Sequence, residues 1–187
     1  MNKYFQNLIE TVINLSKSDS WESAVTEWEI EDCVEDEDAV TQCVCGHENL
    51  RYLFTIKNVL NGNEVFPIGS TCIKKFERTD LDDKATIDIS MFKLMHAVTN
   101  GEFIKLKGGL FTRKIIKYLY DNGCFVDNDY NQNCAYNDYE FFLKMFNKKD
   151  EISPAQQRKV TAIIMAYIRP FVFDLCGRKV VKRWTII

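Results

Sequence analysis

The sequence predicts an α+β fold, and three patterns carry that prediction. Leu50-Arg51-Tyr52-Leu53-Phe54-Thr55-Ile56, a turn at Asn61-Gly62, and Glu64-Val65-Phe66-Pro67-Ile68 read as a β-hairpin, because both turn positions tolerate positive φ. Apolar residues at helical spacing stand before it, at Phe5, Leu8, Ile9, Val12 and Ile13, and recur after it from Ile87 to Phe171. Cys43, Cys45 and His47 precede the hairpin and Cys72 follows it, so four soft side chains bracket one local unit. These patterns divide the chain into an α+β module over residues 1–88 and a mainly helical part over 89–187, packed on it.

The elements follow in order. Residues 2–16 form an amphipathic helix on the i, i+3, i+4, i+7 pattern, and Ser18-Asp19-Ser20 interrupts it. Ser20 caps a second helix whose apolar face is Trp21, Ala24, Val25 and Trp28, and both tryptophans read as core. Trp28 to Val34 has the alternation of an edge strand, and Glu35 to Asp38 follow as a loop. After the hairpin, Gly69 turns the chain and Ser70 caps a short helix from Thr71 to about Phe76. Glu77 to Lys84 reads as a charged turn or linker, and Ile87 to Val98 as a helix in which His96 is a structural, partly buried residue. Phe111, Ile115, Ile116 and Leu119 mark another helix, ended by Asn122-Gly123. Residues 124–137, rich in Asn, Asp and Tyr, read as an ordered loop that carries contacts, and Tyr139 to Phe146 as a short helix. Ser153-Pro154-Ala155-Gln156 is a capping-box start for a helix through Val160, Ile163, Ile164, Tyr167, Ile168 and Phe171. The tail, Val180 to Ile187, is β-prone and basic.

The bracketing side chains point to a metal. Zn²⁺ takes four sulfur or nitrogen ligands in a tetrahedron. Cys43, Cys45, His47 and Cys72 supply such a set, with Cys33 competing against His47 for the fourth place. Cys72 falls in the first turn of its helix, where free N–H groups and the helix dipole favour a thiolate. A knuckle, a hairpin and a ligand at a helix start resemble a treble-clef zinc finger, although a usual treble clef takes two ligands from its helix and here only Cys72 is available. Four protein ligands make a closed, structural zinc site. Cys124, Cys134 and Cys176 stand alone and read as core or surface thiols. Seven cysteines, an odd number, with no secretory leader pattern argue against a disulfide framework. No stretch is apolar enough to span a membrane, and the expectation is a soluble, cytoplasmic protein.

Charge is unevenly placed. Residues 1–100 carry 9 Lys/Arg and 18 Asp/Glu, net −9, while residues 101–187 carry 15 and 9, net +6. A general DNA binder would set a basic stripe beside its zinc module, and this one is acidic. Residues 19–38 hold ten carboxylates and no cation. They read either as a solvated face or as an acidic patch, with Glu35, Asp36, Glu37 and Asp38 at its end, that meets a basic partner. The run lacks the glycine and ligand spacing of a calcium-binding EF-hand. The sequence has no nucleophile–base arrangement, no phosphate-binding loop, no H-E-x-x-H and no zinc-deaminase signature, so an enzyme is not expected.

The pattern Trp21-x-x-Ala24-x-x-Glu27-Trp28, Cys43-x-Cys45-Gly46-His47, Ile56-x-Asn58, Asn61-Gly62-Asn63 and Ile68-Gly69-Ser70-x-Cys72-Ile73 resembles a zinc-containing module of phage and prophage proteins from Firmicutes. Within that group it is similar to streptococcal anti-CRISPR proteins that inhibit type II-A Cas9. The resemblance covers residues 21–76. It implies a stoichiometric inhibitor that binds Cas9 and blocks DNA loading or cleavage, with zinc holding the fold. The basic channel in which Cas9 holds nucleic acid is a counterpart for the acidic residues. The alternative is a zinc-containing nucleic-acid-binding accessory protein of a phage, in which the basic tail and the Tyr-rich loop bind.

Overall fold

Helical period and strand alternation resolve, in the computed structural model, into seven α-helices and one three-stranded antiparallel sheet among the described residues, 2–175: an α+β fold. Cys176 and the expected strand at 180–187 lie outside the described residues. The chain divides into two compact units, Met1–Ile89 and Ser90–Ile187.

In the first unit, helix α1 (Lys3–Leu15) is capped by Asn2 and buries Leu8 and Val12. The short α2 (Trp21–Ala24) is capped by Ser20 and runs through a 3-10 turn into β1 (Trp28–Glu35). β1 is an edge strand, paired with β2 (Tyr52–Asn58), which pairs in turn with β3 (Glu64–Ile68). β2 starts later than the sequence suggests, because Leu50 instead bridges Thr41. A bulge between Ile30 and Asp32 shifts the inward phase of β1, so Trp28, Ile30 and Cys33 are buried although their spacing is not strictly two. Trp28 is fully buried and its indole N–H donates to Ser16 Oγ at 2.8 Å. Trp21 packs edge-on against Phe5 and Phe76, at 5.7 and 5.3 Å between ring centroids.

α3 (Ser70–Ile73) is capped by Gly69 rather than Ser70 and continues as a 3-10 turn to Phe76. α4 (Thr79–Thr99) begins well before the expected Ile87, so the charged stretch is helix and not linker. The physical reason is long-range. The Arg78 guanidinium donates to the carbonyls of Trp28 at 2.6 Å and Val25 at 3.1 Å, and Lys84 Nζ donates to the Ile30 carbonyl. Arg78, just before α4, and Lys84, within it, thus satisfy carbonyls at and just before the start of β1. The division between the units falls within this helix.

Glu27 is the unit's buried charge, only 3% exposed. Its carboxylate accepts from the backbone N–H groups of Lys17 and Ser18, both at 2.8 Å, and from Asn58 Nδ2 at 2.7 Å. Its own carbonyl accepts from Val59 N at 2.8 Å. Asn61 and Asn63, in and after the hairpin turn, donate to the Leu15 carbonyl, each at 2.9 Å. One carboxylate and three asparagines thus tie the end of α1, the start of β1 and the hairpin tip together.

The second unit is helical: the later part of α4, α5 (Arg113–Asp121, capped by Thr112), α6 (Ala135–Asn147) and α7 (Pro154–Ile163, with the expected Ser153/Gln156 capping box). A π-helical turn, Ile164–Ile168, follows α7. Phe111 and Phe125 meet the fully buried Phe142 edge-on, at 5.3 and 6.2 Å. The 124–137 segment is ordered by Asn131. Its side-chain oxygen accepts from Asn128 N and Cys134 N, and its amide donates to Val126 O and Asp138 Oδ2. Asp138, 3% exposed, also pairs with Lys159 at 2.9 Å. Among the described residues no helix is long and apolar enough to cross a membrane.

Two outcomes follow. Hydrogen bonds, first from the Ser18 side chain and then from Asn58, lower the Glu27 pKa from 4.5 to about 2. The unfolded chain therefore takes up this proton first, so the contribution is complete above pH 4.5 and is lost as pH falls towards 2. Urea unfolding at pH 7, 4 and 3 should show this acid limb flattened in Glu27→Gln, with lower stability at pH 7 because the amide sets an N–H against a backbone N–H. Phe142→Ala should cost about 3–5 kcal/mol in the same assay, as a large aromatic removed from a core.

Candidate metal centre

The three cysteines that converge come from two local structures. The bridge between Thr41 and Leu50 aligns the chain entering and leaving a tight knuckle. Within it, Cys43 N donates to the His47 carbonyl at 2.8 Å and Gly46 N donates to the Cys43 carbonyl at 2.7 Å. Gly46 sits at φ +95, a conformation that a side chain disfavours. Val44 N donates to Pro67 O at 3.0 Å, which ties the knuckle to the end of β3. Asn7 Nδ2, from α1, donates to Cys45 O at 3.0 Å. β3 then delivers the chain through Gly69 into α3, whose Cys72 faces the knuckle.

One sulfur from each of Cys43, Cys45 and Cys72 lies within 4.8 Å of the other two. Cys43 Sγ and Cys72 Sγ are 3.7 Å apart. A disulfide would hold them at about 2.05 Å. Ligands at about 2.3 Å from a tetrahedral zinc are separated by about 3.8 Å, the length of a tetrahedron edge. Gly69 N also donates to Cys43 Sγ at 3.4 Å, a bond suited to a thiolate. Cys43 and Cys45 are buried, and Cys72 is half-buried.

The electrostatics agree with a place for a cation. The hydrogen bond from Cys72 lowers the Cys43 pKa to about 5. Burial raises that of Cys45, and the thiol of Cys72 is raised by giving its hydrogen bond to Cys43. Of the three, Cys43 is the one whose thiolate the surroundings favour. Three buried thiolates would repel one another unless a cation joined them. Three close cysteines that can hold a metal ion are therefore what the fold builds.

His47 is exposed and does not join the group; its ring lies 5.8 Å from that of Tyr4, centroid to centroid. Cys33, the other fourth candidate, is buried in β1 opposite Phe54 and is not in the group either. A cavity of about 420 Å³ borders the three sulfurs and is also lined by His47, Tyr4, Phe5, Leu8, Arg51 and Lys75. Its walls come from the start of α1, the knuckle, the start of β2 and residues 69–75. The sequence marks Phe5 and Leu8 only as an apolar helix face and His47 as a ligand, and gives no signal for Tyr4, Arg51 or Lys75 as wall residues. Cys124 is buried, its pKa pushed up to about 12 by desolvation, while Cys134 is half-buried.

The acidic run does not form one face. Glu27 is interior. Glu35 is nearly buried and pairs with Arg51 at 2.8 Å. Asp36 Oδ2 accepts from Val40 N and Thr41 N, both at 3.0 Å, and from Thr41 Oγ1 at 2.6 Å, so it shapes the turn before the knuckle. Glu31 pairs with Lys57, which also meets Glu64. Glu29, Asp32, Glu37 and Asp38 are exposed.

No protein-family model matches this chain, and no curated protein or solved structure matches it.

Metal analysis of the purified chain should find one divalent ion per molecule, and Cys43→Ser or Cys72→Ser should lose it. Loss of a structural metal belongs among changes of about 4 kcal/mol or more. In a chain this size that lowers Tm by roughly 8–16 °C. A wild-type protein without metal, or a metal-free Cys72→Ser with unchanged Tm, would refute the centre.

Proposed function

We propose that Cys43, Cys45 and Cys72 bind zinc, that the ion staples the hairpin module, and that the module works by binding a macromolecular partner rather than by catalysis. The observation that carries this is the convergence of three sulfurs within 4.8 Å of one another, one pair at 3.7 Å, on a knuckle and a helix start. Zinc there supplies cross-linking between the two halves of the module and is a source of folding free energy. Asn7 and Gly46 hold the knuckle, and Gly69 presents an N–H to sulfur.

The partner in this reading is type II-A Cas9, and the protein is an anti-CRISPR inhibitor acting in the cytoplasm of the bacterial host. The support is the motif resemblance across residues 21–76 together with the exposed carboxylates Glu29, Asp32, Glu37 and Asp38, which suit a strongly basic surface. Of the four carboxylates first singled out, Glu37 and Asp38 are the ones available to a partner, because Glu35 and Asp36 serve the turn and the sheet edge.

The test keeps Glu35 and Asp36 intact. Glu29, Asp32, Glu37 and Asp38 are reversed to Lys together, and folding is checked by circular dichroism. Binding to Cas9 with and without guide RNA, and target cleavage, are then measured at low and moderate salt. The expected outcome is slower association, by roughly tenfold or more at low salt, and weaker inhibition. Unchanged binding would clear the acidic edge of a role. No Cas9 binding by the wild type would overturn the Cas9 reading, and salt-dependent retention on DNA would replace it with the nucleic-acid-binding alternative.

A further inference from the structure

We infer that the fourth coordination position of the zinc opens onto the cavity beside the cysteines and takes a thiolate from outside the chain, which makes this a ligand-binding metal site and not a sealed one. The inference rests on the zinc reading above. Among the described residues, no histidine, aspartate, glutamate or fourth cysteine brings a ligand atom into the group of three. Tetrahedral zinc with three protein ligands has one position left for a molecule that comes and goes. Cys43, Cys45 and Cys72 all line the cavity, so open space adjoins the three cysteines. At about 420 Å³ the cavity falls within the size of small-ligand sites.

The lining selects the class of ligand. Tyr4, Phe5, Leu8 and Leu50 give it apolar walls, Arg51 and Lys75 give it cations, and among the described residues no aspartate or glutamate lines it. Lys75 Nζ stands 5.9 Å from the centre of the Phe5 ring, and Arg51 shares its charge with Glu35. An anionic donor on a short apolar body suits that surface. Zinc already held by sulfur is met best by another soft donor, hence a thiolate, either a small thiol or a cysteine side chain presented by a partner. Binding is ligand exchange: the thiolate lone pair forms the sulfur–zinc bond, water leaves, the thiol proton goes to solvent, and no electron is transferred.

The experiment uses the full chain loaded with Co²⁺ in place of zinc. Metal content is measured first, because a chain that holds no stoichiometric Co²⁺ or Zn²⁺ overturns the zinc reading and this inference with it. The Co²⁺ visible spectrum is then followed as 3-mercaptopropionate is added, with propionate as the sulfur-free control. A saturable rise in sulfur-to-cobalt charge transfer is expected, with metal still at one per chain after desalting and no response to propionate. His47→Ala should keep the saturable response, and Lys75→Ala should weaken the thiol by roughly two- to fivefold. A wild-type spectrum that ignores the thiol, together with a His47→Ala spectrum already altered before any is added, would show that His47 closes the site and would overturn the inference.

Discussion

Much of the first unit is arranged so that three cysteine sulfurs can share one small volume. The knuckle, the end of β3 and the start of α3 are each short, and none would hold its shape alone. The Val44 to Pro67 hydrogen bond and the approach of Cys43 to Cys72 at 3.7 Å join them. Three thiolates gathered so closely would repel one another, whereas a bound cation would join them, so this is a place that can hold a metal ion. Residues far from the cysteines help to shape it. Asn7 from the first helix steadies the Cys45 carbonyl, and Asp36 shapes the turn that enters the knuckle.

Both units solve the problem of irregular backbone in the same way, by burying one carboxylate beside an asparagine. Glu27 with Asn58 collects the end of α1 and the hairpin tip. Asp138 with Asn131 collects the 124–137 segment and reaches Lys159 on α7. Asparagine suits this work because its amide donates and accepts at once, so a single side chain can close a turn on both sides. The abundance of Asn in the loops thus has a structural use in both units.

Ten carboxylates in twenty residues look like one surface when the chain is read as text. Folding distributes them among different tasks. One becomes a buried hub, one a turn former, and others pair with Arg51 and Lys57. The remainder, Asp19, Glu22, Glu29, Asp32, Glu37 and Asp38, is exposed.

The local signals in the chain determined most of its elements. Helical spacing placed α1, α5 and α7, the Ser153/Gln156 capping box opened α7 as expected, and Asn61-Gly62 placed the hairpin. Cysteine spacing brought Cys43, Cys45 and Cys72 into one hypothesis because these residues lie on either side of a single hairpin, a short-range relation that spacing records. Long-range contacts decided the rest. The charged stretch after Arg78 is helical because Arg78 and Lys84 find carbonyls on β1, some fifty residues away. Glu27 is interior because Lys17, Ser18 and Asn58 meet around it. His47 lies outside the sulfur group, its ring beside Tyr4 of α1, a side-chain direction that spacing along the knuckle does not record. Residue spacing encodes local geometry, but which polar groups become neighbours, and which face a cavity, is set only when distant segments are brought together.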